Sequence, residues 1–297
     1  SVLAANIESD AMSMYKDVYN NVTDVGATIT SSDVMTASKV LTDNLAPYDN
    51  RCLNLSTQDN LDLVDALKGL YNDRNNLGKN YKEGRVASNT FGFSEIMENS
   101  MWPQHTSGTD DGTGDYLVND SGTIAEGSTS VTTDTGAGTY LIGDIFYFAS
   151  VYAVHPETKA TSTKLKEFTI TANSGTSATT ISFSPAMYSS GAKQNVSAMP
   201  ANNAALHKNE SDQSTDIAAS ADYGVSLAYH KDAFCFATAD LIMPQGVDFS
   251  AREVMDGISM RIVRDYSISA DTFPTRIDVL YGYKTIRPEI ACRIQMN

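Results

Sequence analysis

The first quarter of the chain is patterned in a way typical of helices. One set of apolar residues recurs every three or four positions: Ile7, Ala11, Met14, Val18, Val22 and Val25. This spacing places the set on one side of a helix. It predicts a long amphipathic helix that begins near Leu3 and ends at Gly26, a residue type that commonly terminates helices.

Two more helices and a strand are predicted before residue 103. A helix capped by Ser32 carries apolar residues at helical spacing until Pro47 ends it. The alternating segment 52–55 predicts a short strand. A third helix is expected to start at a Ser56 or Thr57 cap, so this region is typical of an α+β domain.

The composition changes at about Thr106, and the chain stays rich in Thr, Ser and Gly as far as Pro200. Short apolar alternations in this stretch predict strands: Tyr140/Ile142, Ile145/Tyr147, Val151/Ala153, Phe168/Ile170 and Ile181/Phe183. Turn signals such as Gly143-Asp144 and His155-Pro156 separate some of the runs. We call this stretch, residues 104–200, the β module, and expect an all-β barrel or compact sandwich inserted into the α+β domain.

After Pro200 the composition and patterning again resemble those of the α+β region before the β module. Three alternating runs predict strands that close the chain: Ile258/Met260/Ile262, Ile277/Val279/Tyr281 and Ile290/Cys292/Ile294. The helical beginning and the stranded end of the chain are therefore expected to build one α+β domain around the inserted module. The sequence shows neither an internal repeat nor a coiled-coil heptad pattern.

Composition narrows the function classes. The 297 residues are 41% hydrophobic, enough for a real core, and carry 36 acidic against 21 basic residues, giving a net charge of −15. A surface with this charge repels phosphate on average, so a dedicated nucleic-acid-binding protein is disfavoured. No apolar run reaches the length of about 18 residues that a membrane-spanning helix needs.

The three cysteines, Cys52, Cys235 and Cys292, are far apart in sequence and have apolar or strand-forming neighbours. This pattern predicts small buried hydrophobic residues in a reducing compartment. We expect no disulfide and no zinc site, because no CxxC spacing occurs.

An acidic glycine-rich segment is the best candidate for a cation site. Asp110, Asp111 and Asp115 offer carboxylates on a predicted flexible loop. Their spacing does not match an EF-hand loop and lacks its closing Glu, so a solvated acidic loop is favoured over calcium binding. We expect this loop to contact a basic partner on a neighbouring subunit.

A hydrolase would need a nucleophile beside a base. His230 and Asp232 would share one face of a strand, but no nucleophile motif such as GxSxG accompanies them. His105, His155 and His207 lie in polar, turn-like stretches, and we expect them to be structural or exposed. The sequence therefore predicts no catalytic residue, no metal site and no cofactor.

Basic residues cluster near the end of the chain: Arg261, Arg264, Arg276, Arg287 and Arg293. They could bind phosphate, but acidic residues alternate with them in the same predicted strands. Ion pairs within or between subunits are therefore the favoured interpretation. Arg261 and Arg264 are our candidates for contacts between subunits.

The carboxyl-terminal third resembles the coat proteins of short-tailed phages of the P-22 type. The segments that carry the resemblance are Tyr229–Phe234, Ala239–Pro244, Asp256–Arg261 and Asp278–Glu289. Upstream, Gly92–Ile96 is similar to the segment that leads into that family's inserted domain. The similarity thus extends to both sides of the β module.

The resemblance implies the HK-97-like capsid fold, with a peripheral domain that contains a spine helix, an axial domain, and an inserted β-barrel. Mapped onto this sequence, it implies the following domains: 1–30 spine helix, 31–103 first axial segment, 104–200 β-barrel, 201–247 second axial segment, and 248–297 closing strands. Members of that family carry an amino-terminal arm and an extended loop ahead of the spine helix. This chain begins inside the predicted helix, so residues 1–297 alone are not expected to close a stable shell.

The expected function is that of a major capsid protein, located in the virion and assembled in the host cytoplasm. Its expected partners are other copies of itself in hexameric and pentameric capsomers, a scaffolding protein, a portal, and packaged DNA through weak non-specific contacts. No membrane partner is expected. An adhesive virion protein, a protein-enclosing shell of the same fold, and a hydrolase using His230 and Asp232 are the alternatives.

Overall fold

The structure is a computed structural model. It describes residues 2–67, 83–84, 86, 89–110, 116–120, 124–134, 136–208 and 217–296. The chain forms two compact units, one made of residues 1–233 with 287–297 and the other of residues 234–286. Each unit is described by itself.

The α-helices described all lie in the first unit: α1 (Val2–Met12), α2 (Ser31–Asp43) and α3 (Thr57–Ala66). Helix α2 begins with a capping box, in which Thr30 and Asp33 satisfy each other's backbone amides. Helix α3 begins where the Ser56 hydroxyl accepts a hydrogen bond from the Asp59 amide at 3.1 Å.

The described residues contain sixteen strands: β1 (Asn21–Thr23), β2 (Arg51–Ser56), β3 (Glu95–Asn99), β4 (His105–Thr106), β5 (Leu117–Val118), β6 (Ser128–Asp134), β7 (Ile145–Val154), β8 (Thr161–Ile170), β9 (Thr180–Met187), β10 (Leu206–His207), β11 (Asp222–His230), β12 (Phe234–Ala239), β13 (Phe249–Met255), β14 (Ile258–Arg264), β15 (Thr275–Thr285) and β16 (Ala291–Met296).

The main sheet of the first unit has the strand order β1-β16-β11-β2-β3, and β4 pairs with the start of β11. Strand β16 lies between β1 and β11, and every one of its residues is buried, so its polar side chains need hydrogen-bond partners inside the protein. Strand β1 runs parallel to β16, and β11 runs antiparallel to it. The two ends of the chain are therefore joined in one sheet.

The β module forms a second sheet together with β10, which lies just after the predicted boundary at Pro200, in the order β10-β7-β8-β9-β6-β5. Its two outer strands are also bonded to each other, because the Leu206 amide donates to the Tyr116 carbonyl at 2.9 Å and the Val118 amide donates to the Ala204 carbonyl at 3.0 Å. The interior is aromatic, with the Phe146, Phe148, Phe168 and Phe183 rings in contact. This core draws its buried residues only from 116–206, so the module has a hydrophobic core of its own.

The second unit is a single antiparallel sheet, in the order β12-β15-β14-β13. It contains no described α-helix. Only Ser259 and Thr285 are buried within it. A sheet with two accessible faces has no interior of its own, which distinguishes this unit from the first.

Two sequence predictions about local structure are wrong. The helix predicted to reach Gly26 ends at Met12; a short 3-10 helix, Ser13–Asp17, follows it, and Val22 lies in strand β1. Cys52 and Cys292 are buried as expected, but Cys235 is exposed. The predicted helices at 32–47 and from 57, the strand at 52–55, and the strands that close the chain are all present.

Candidate assembly surface and buried junction

A chain of three buried polar side chains lies beside the β module. The Tyr15 hydroxyl is 2.8 Å from His105 Nδ1, and His105 Nε2 is 2.9 Å from Asp144 Oδ1. The second oxygen of Asp144 accepts hydrogen bonds from the Gly108 amide at 3.0 Å and from the Leu141 amide at 2.8 Å. Since an ionised carboxylate only accepts, His105 donates from Nε2, and its Nδ1 accepts from Tyr15.

Arg293 extends this arrangement from strand β16. Its guanidinium donates from Nε to the Val18 carbonyl at 2.6 Å, from Nη1 to the Gly143 carbonyl at 2.6 Å, and from Nη2 to the Thr169 hydroxyl at 2.9 Å. It also lies over the Tyr15 ring, 5.6 Å from the centroid. One fully buried side chain therefore joins the amino-terminal segment, the β module and the last strand. We call Tyr15, His105, Asp144 and Arg293 the buried junction.

Burial sets the protonation states of the junction. It raises the pKa of Tyr15 to about 12 and lowers the pKa of His105, with the Arg293 charge adding to the latter effect and Asp144 opposing it. Near neutral pH the tyrosine is therefore protonated and the histidine neutral. Tyr15, His105 and Asp144 are 2%, 3% and 0% exposed, so no substrate can reach them. The arrangement resembles an acid–base relay in composition only, and its role is structural.

Gly143 allows the junction to close. Its φ of 99° lies in the left-handed region, and a Cβ placed on it would lie 3.0 Å from the His105 ring and 2.9 Å from the Lys16 side chain. Any larger residue would be strained there and would push against the histidine. The predicted Gly143-Asp144 turn is thus confirmed. His105 is structural, which was one of the two roles expected for it, but it is buried on strand β4 and not in a turn-like stretch.

His230 and Asp232 do not form a catalytic pair. Strand β11 ends at His230, and Lys231–Ala233 form a 3-10 turn, so the expected common strand face does not exist. The Asp232 amide donates to His230 Nδ1 at 3.2 Å, which leaves the proton on the buried Nε2. The Asp232 carboxylate points to solvent and is 3.5 Å from the ring.

The predicted acidic loop is only partly described. Asp110 is buried, contrary to the expectation of an exposed loop, while Asp111 and Asp115 lie outside the described residues. The buried Lys208 ammonium donates to the main-chain carbonyls of Asp110 and, at 3.0 Å, Gly108. No group of three or more potential metal ligands occurs among the described residues. The role of the three aspartates in contacts between subunits stays a prediction.

Four of the five clustered arginines form ion pairs within the chain, the exception being Arg293. Arg261 donates to Asp278 from Nη2 at 2.5 Å, and also donates to the Ile242 carbonyl. These bonds lower the pKa of Asp278, with Arg261 as the main cause. Arg264 binds Asp248 at 2.8 Å. Whether Arg261 and Arg264 also contact a neighbouring subunit stays a prediction.

Strand register divides the second unit into two unlike faces. Directly paired residues point to the same side, so one side, which we call the apolar face, carries the following residues: Phe234, Phe236, Thr238, Phe249, Ala251, Glu253, Met255, Ile258, Met260, Ile262, Arg264, Thr275, Ile277, Val279, Tyr281, Tyr283 and Thr285. The other side, the basic face, carries these charged residues: Arg252, Arg261, Arg276, Asp278 and Lys284. Phe249, Met255 and Ile277 are 48%, 63% and 56% exposed. The apolar face is therefore a candidate surface for assembly.

A comparison with known protein families identifies the family of this chain. Residues 3–297 match the family model described as P22 coat protein, gene protein 5. The chain belongs to the P22 coat protein family. The resemblance carried by the Gly92–Ile96 and carboxyl-terminal segments is thereby confirmed. The family is one of coat proteins, which are structural proteins.

Two solved phage structures are similar to nearly the whole chain, and a third is similar to about one third of it. One from Mycobacterium phage Che8 has 9% identity and a TM-score of 0.43, covering 99% of this chain and 59% of that one. The capsid structure of the cyanophage P-SCSP1u has 11% identity and a TM-score of 0.39, covering 100% and 63%. The CUS-3 coat protein I-domain has 22% identity and a TM-score of 0.24, covering 34% and 92%.

This chain thus spans about three fifths of the length of the two larger phage proteins. The comparison with curated proteins found no match. Within the described residues, no helix is long and apolar enough to cross a membrane.

Proposed function

We propose that this protein is the major capsid protein of a tailed phage, and that many copies of it assemble into the icosahedral shell around the double-stranded DNA genome. The observation that carries the proposal is the coat-protein family match over residues 3–297. The protein acts by repeated contacts between copies and not by catalysis. Its site of action is the virion, after assembly in the host cytoplasm.

The proposal includes an HK-97-like layout with an inserted β-barrel. Hydrogen bonds between the outer strands of the β module support the barrel, because they join the ends of its sheet. In this layout residues 1–30 belong to the spine of the peripheral domain, although α1 covers only Val2–Met12 of that segment. Residues 31–103 and 201–247 belong to the axial domain, and 248–297 to the closing strands.

The partners follow from the same proposal. Copies of the chain form hexamers and pentamers, and a scaffolding protein and a portal take part in assembly. Packaged DNA makes only weak non-specific contacts, since a net charge of −15 opposes tight binding of phosphate. Repulsion between wall and genome lets the DNA be packaged and released.

Quantitative mass spectrometry of purified virions tests the proposal. This protein should be the most abundant protein of the particle, because a shell uses more copies than a tail does. A copy number equal to that of the tail proteins would contradict a shell function and favour an adhesive or tail protein.

A further inference from the structure

The hydrophobic core of the β module is separate from the main sheet of the first unit. Its buried members, and the partly buried hydrophobic residues packed against them, all lie within 116–206. We call these residues the module body. Because the apolar packing inside the module body does not include the main sheet, the body does not need the main sheet to keep its core closed.

Hydrogen bonds from polar and charged groups attach the module body to the residues around it. The buried junction supplies one set of these bonds. Strand β8 supplies two more: Glu167 Oε2 accepts a hydrogen bond from the Asn21 amide at 3.2 Å, and the Thr169 hydroxyl donates to the Lys16 carbonyl at 2.8 Å. Glu167 and Thr169 are both buried. We call the buried junction and these two contacts together the polar interface.

Some polar atoms beside this interface are buried without a hydrogen-bond partner among the described residues. They are the side-chain nitrogen and oxygen of Asn21 and the side-chain nitrogen of Gln295. Strand register puts both side chains on the side of the main sheet that carries Arg293, which is the side that the module body covers. Water can bond to such atoms when an interface opens, so their burial favours the open state.

We infer that the module body undocks from the main sheet as a folded unit, and that protonation of His105 releases it. His105 lies on β4, which pairs with β11 of the main sheet, whereas Asp144 belongs to the module body. Their hydrogen bond therefore joins the two parts directly. In an imidazolium both ring nitrogens are donors, so Nδ1 can no longer accept the bond from the Tyr15 hydroxyl.

The surroundings of His105 oppose a positive charge while the interface is closed. Burial lowers the pKa of the ring, and the charges of Arg293 and Lys16 act in the same direction, against the carboxylate of Asp144. The titratable and charged groups that face or influence the ring from the elements around it are Tyr15, Lys16, Asp144, Tyr223 and Arg293. Water that enters the open interface solvates the imidazolium, so acid shifts the equilibrium towards the open state.

Thiol labelling of the full chain tests the inference. Asn21→Cys places a reporter beside the polar interface, and Val151→Cys places one in the core of the module body. Each labelling rate, assigned by peptide mass spectrometry, is divided by the rate of free cysteine at the same pH. Between about pH 7.5 and about pH 5, the range in which histidine titrates, the corrected Asn21→Cys rate should rise roughly tenfold or more. The Val151→Cys thiol should stay protected, because the module body remains folded.

Replacement of single histidines separates release by His105 from general acid effects. His105→Gln keeps a donor for Asp144 but has no group that titrates in this range, so Asn21→Cys labelling in this background should not rise with acid. His230→Gln is the matched control, because His230 is also buried but lies on the opposite side of the main sheet from Arg293. It should leave the acid response unchanged. Circular dichroism verifies that each variant folds.

Hydrogen exchange of the unmodified protein supplies a second measurement. The Asn21 amide, which donates to Glu167, should lose its protection in acid while amides between β7 and β8 keep theirs. Equal protection of the Asn21 amide at both pH values would overturn the inference. Equal acid-induced labelling of Val151→Cys would also overturn it, since the module body would then unfold and not undock. An acid response that persists in His105→Gln would exclude His105 as the trigger.

Discussion

Buried polar residues with distant partners decide much of the structure at the scale of single residues. Arg293 was expected to form an ion pair, but its guanidinium binds the carbonyls of Val18 and Gly143 instead. Those groups lie 275 and 150 residues away in the sequence, so no local pattern could reveal them. The hydrogen-bond partners of His105, which lie 90 and 39 residues away, could not be predicted for the same reason. The ion pair of Arg261 with Asp278 was predictable, because alternation put both in neighbouring strands.

Loss of the Asp144 carboxylate should destabilise the first unit. Asp144→Ala leaves His105 Nε2 and the amides of Gly108 and Leu141 buried without an acceptor. Since each orphaned donor costs roughly 1–3 kcal/mol, we expect the free energy of unfolding to fall by about 3 kcal/mol or more. Urea denaturation measures the change. Asp232→Ala, whose carboxylate is 73% exposed, is the control and should change it by less than about 0.5 kcal/mol.

The junction also predicts a pH dependence. Because burial lowers the pKa of His105, the unfolded chain takes up a proton below about 6.5 while the folded chain does not. The neutral His105 therefore stabilises the fold fully above the pKa of the unfolded chain. This contribution is lost as the pH falls from there through the lower pKa of the folded protein. His105→Gln should make this loss less steep, by up to about 1.4 kcal/mol per pH unit.

An NMR titration of the His105 ring in the wild-type protein gives the same information without a substitution. A pKa at or above 6.5 for this ring would contradict the account. In the folded protein, the titratable and charged groups that face the ring or influence it are Tyr15, Lys16, Asp144, Tyr223 and Arg293.

At the scale of elements, capped helices could be predicted and the first helix could not. Helix α3 begins directly after the predicted Ser56 cap, whereas α2 is capped by Thr30 and not by Ser32 as predicted, a difference of two residues. The apolar spacing through Val18 and Val22 fits a helix as well as the spacing in α2 does, but tertiary contacts override this local preference. Asn20 donates to the carbonyls of Glu289 and Ala291, and Val22 pairs with β16, so this segment becomes a strand.

The β module should fold by itself if its last strand is included. Leu206 belongs to the hydrophobic core and its amide binds the Tyr116 carbonyl. Residues 104–208 should therefore give well-dispersed amide resonances, whereas residues 104–201, the boundary predicted from Pro200, lack this strand and should be less stable. Poorly dispersed spectra from the longer fragment would show that the module depends on the rest of the chain.

At the scale of the whole molecule, the protein family could be predicted from the sequence, but most contacts between distant residues could not. Family-specific segments such as Asp256–Arg261 were visible without a structure, and the family match confirms what they indicated. The two faces of the 234–286 sheet became visible only through strand register, which pairs Arg261 with Asp278 and Ile262 with Ile277. Register depends on turns and packing as well as on alternation.

Cryo-electron microscopy of purified virions tests the central claim most directly. The account predicts closed icosahedral shells whose hexamers and pentamers each fit copies of this chain, with the aromatic β module visible as a separate density. Particles that lack this chain in the shell wall, or trimeric fibres in place of shells, would contradict it.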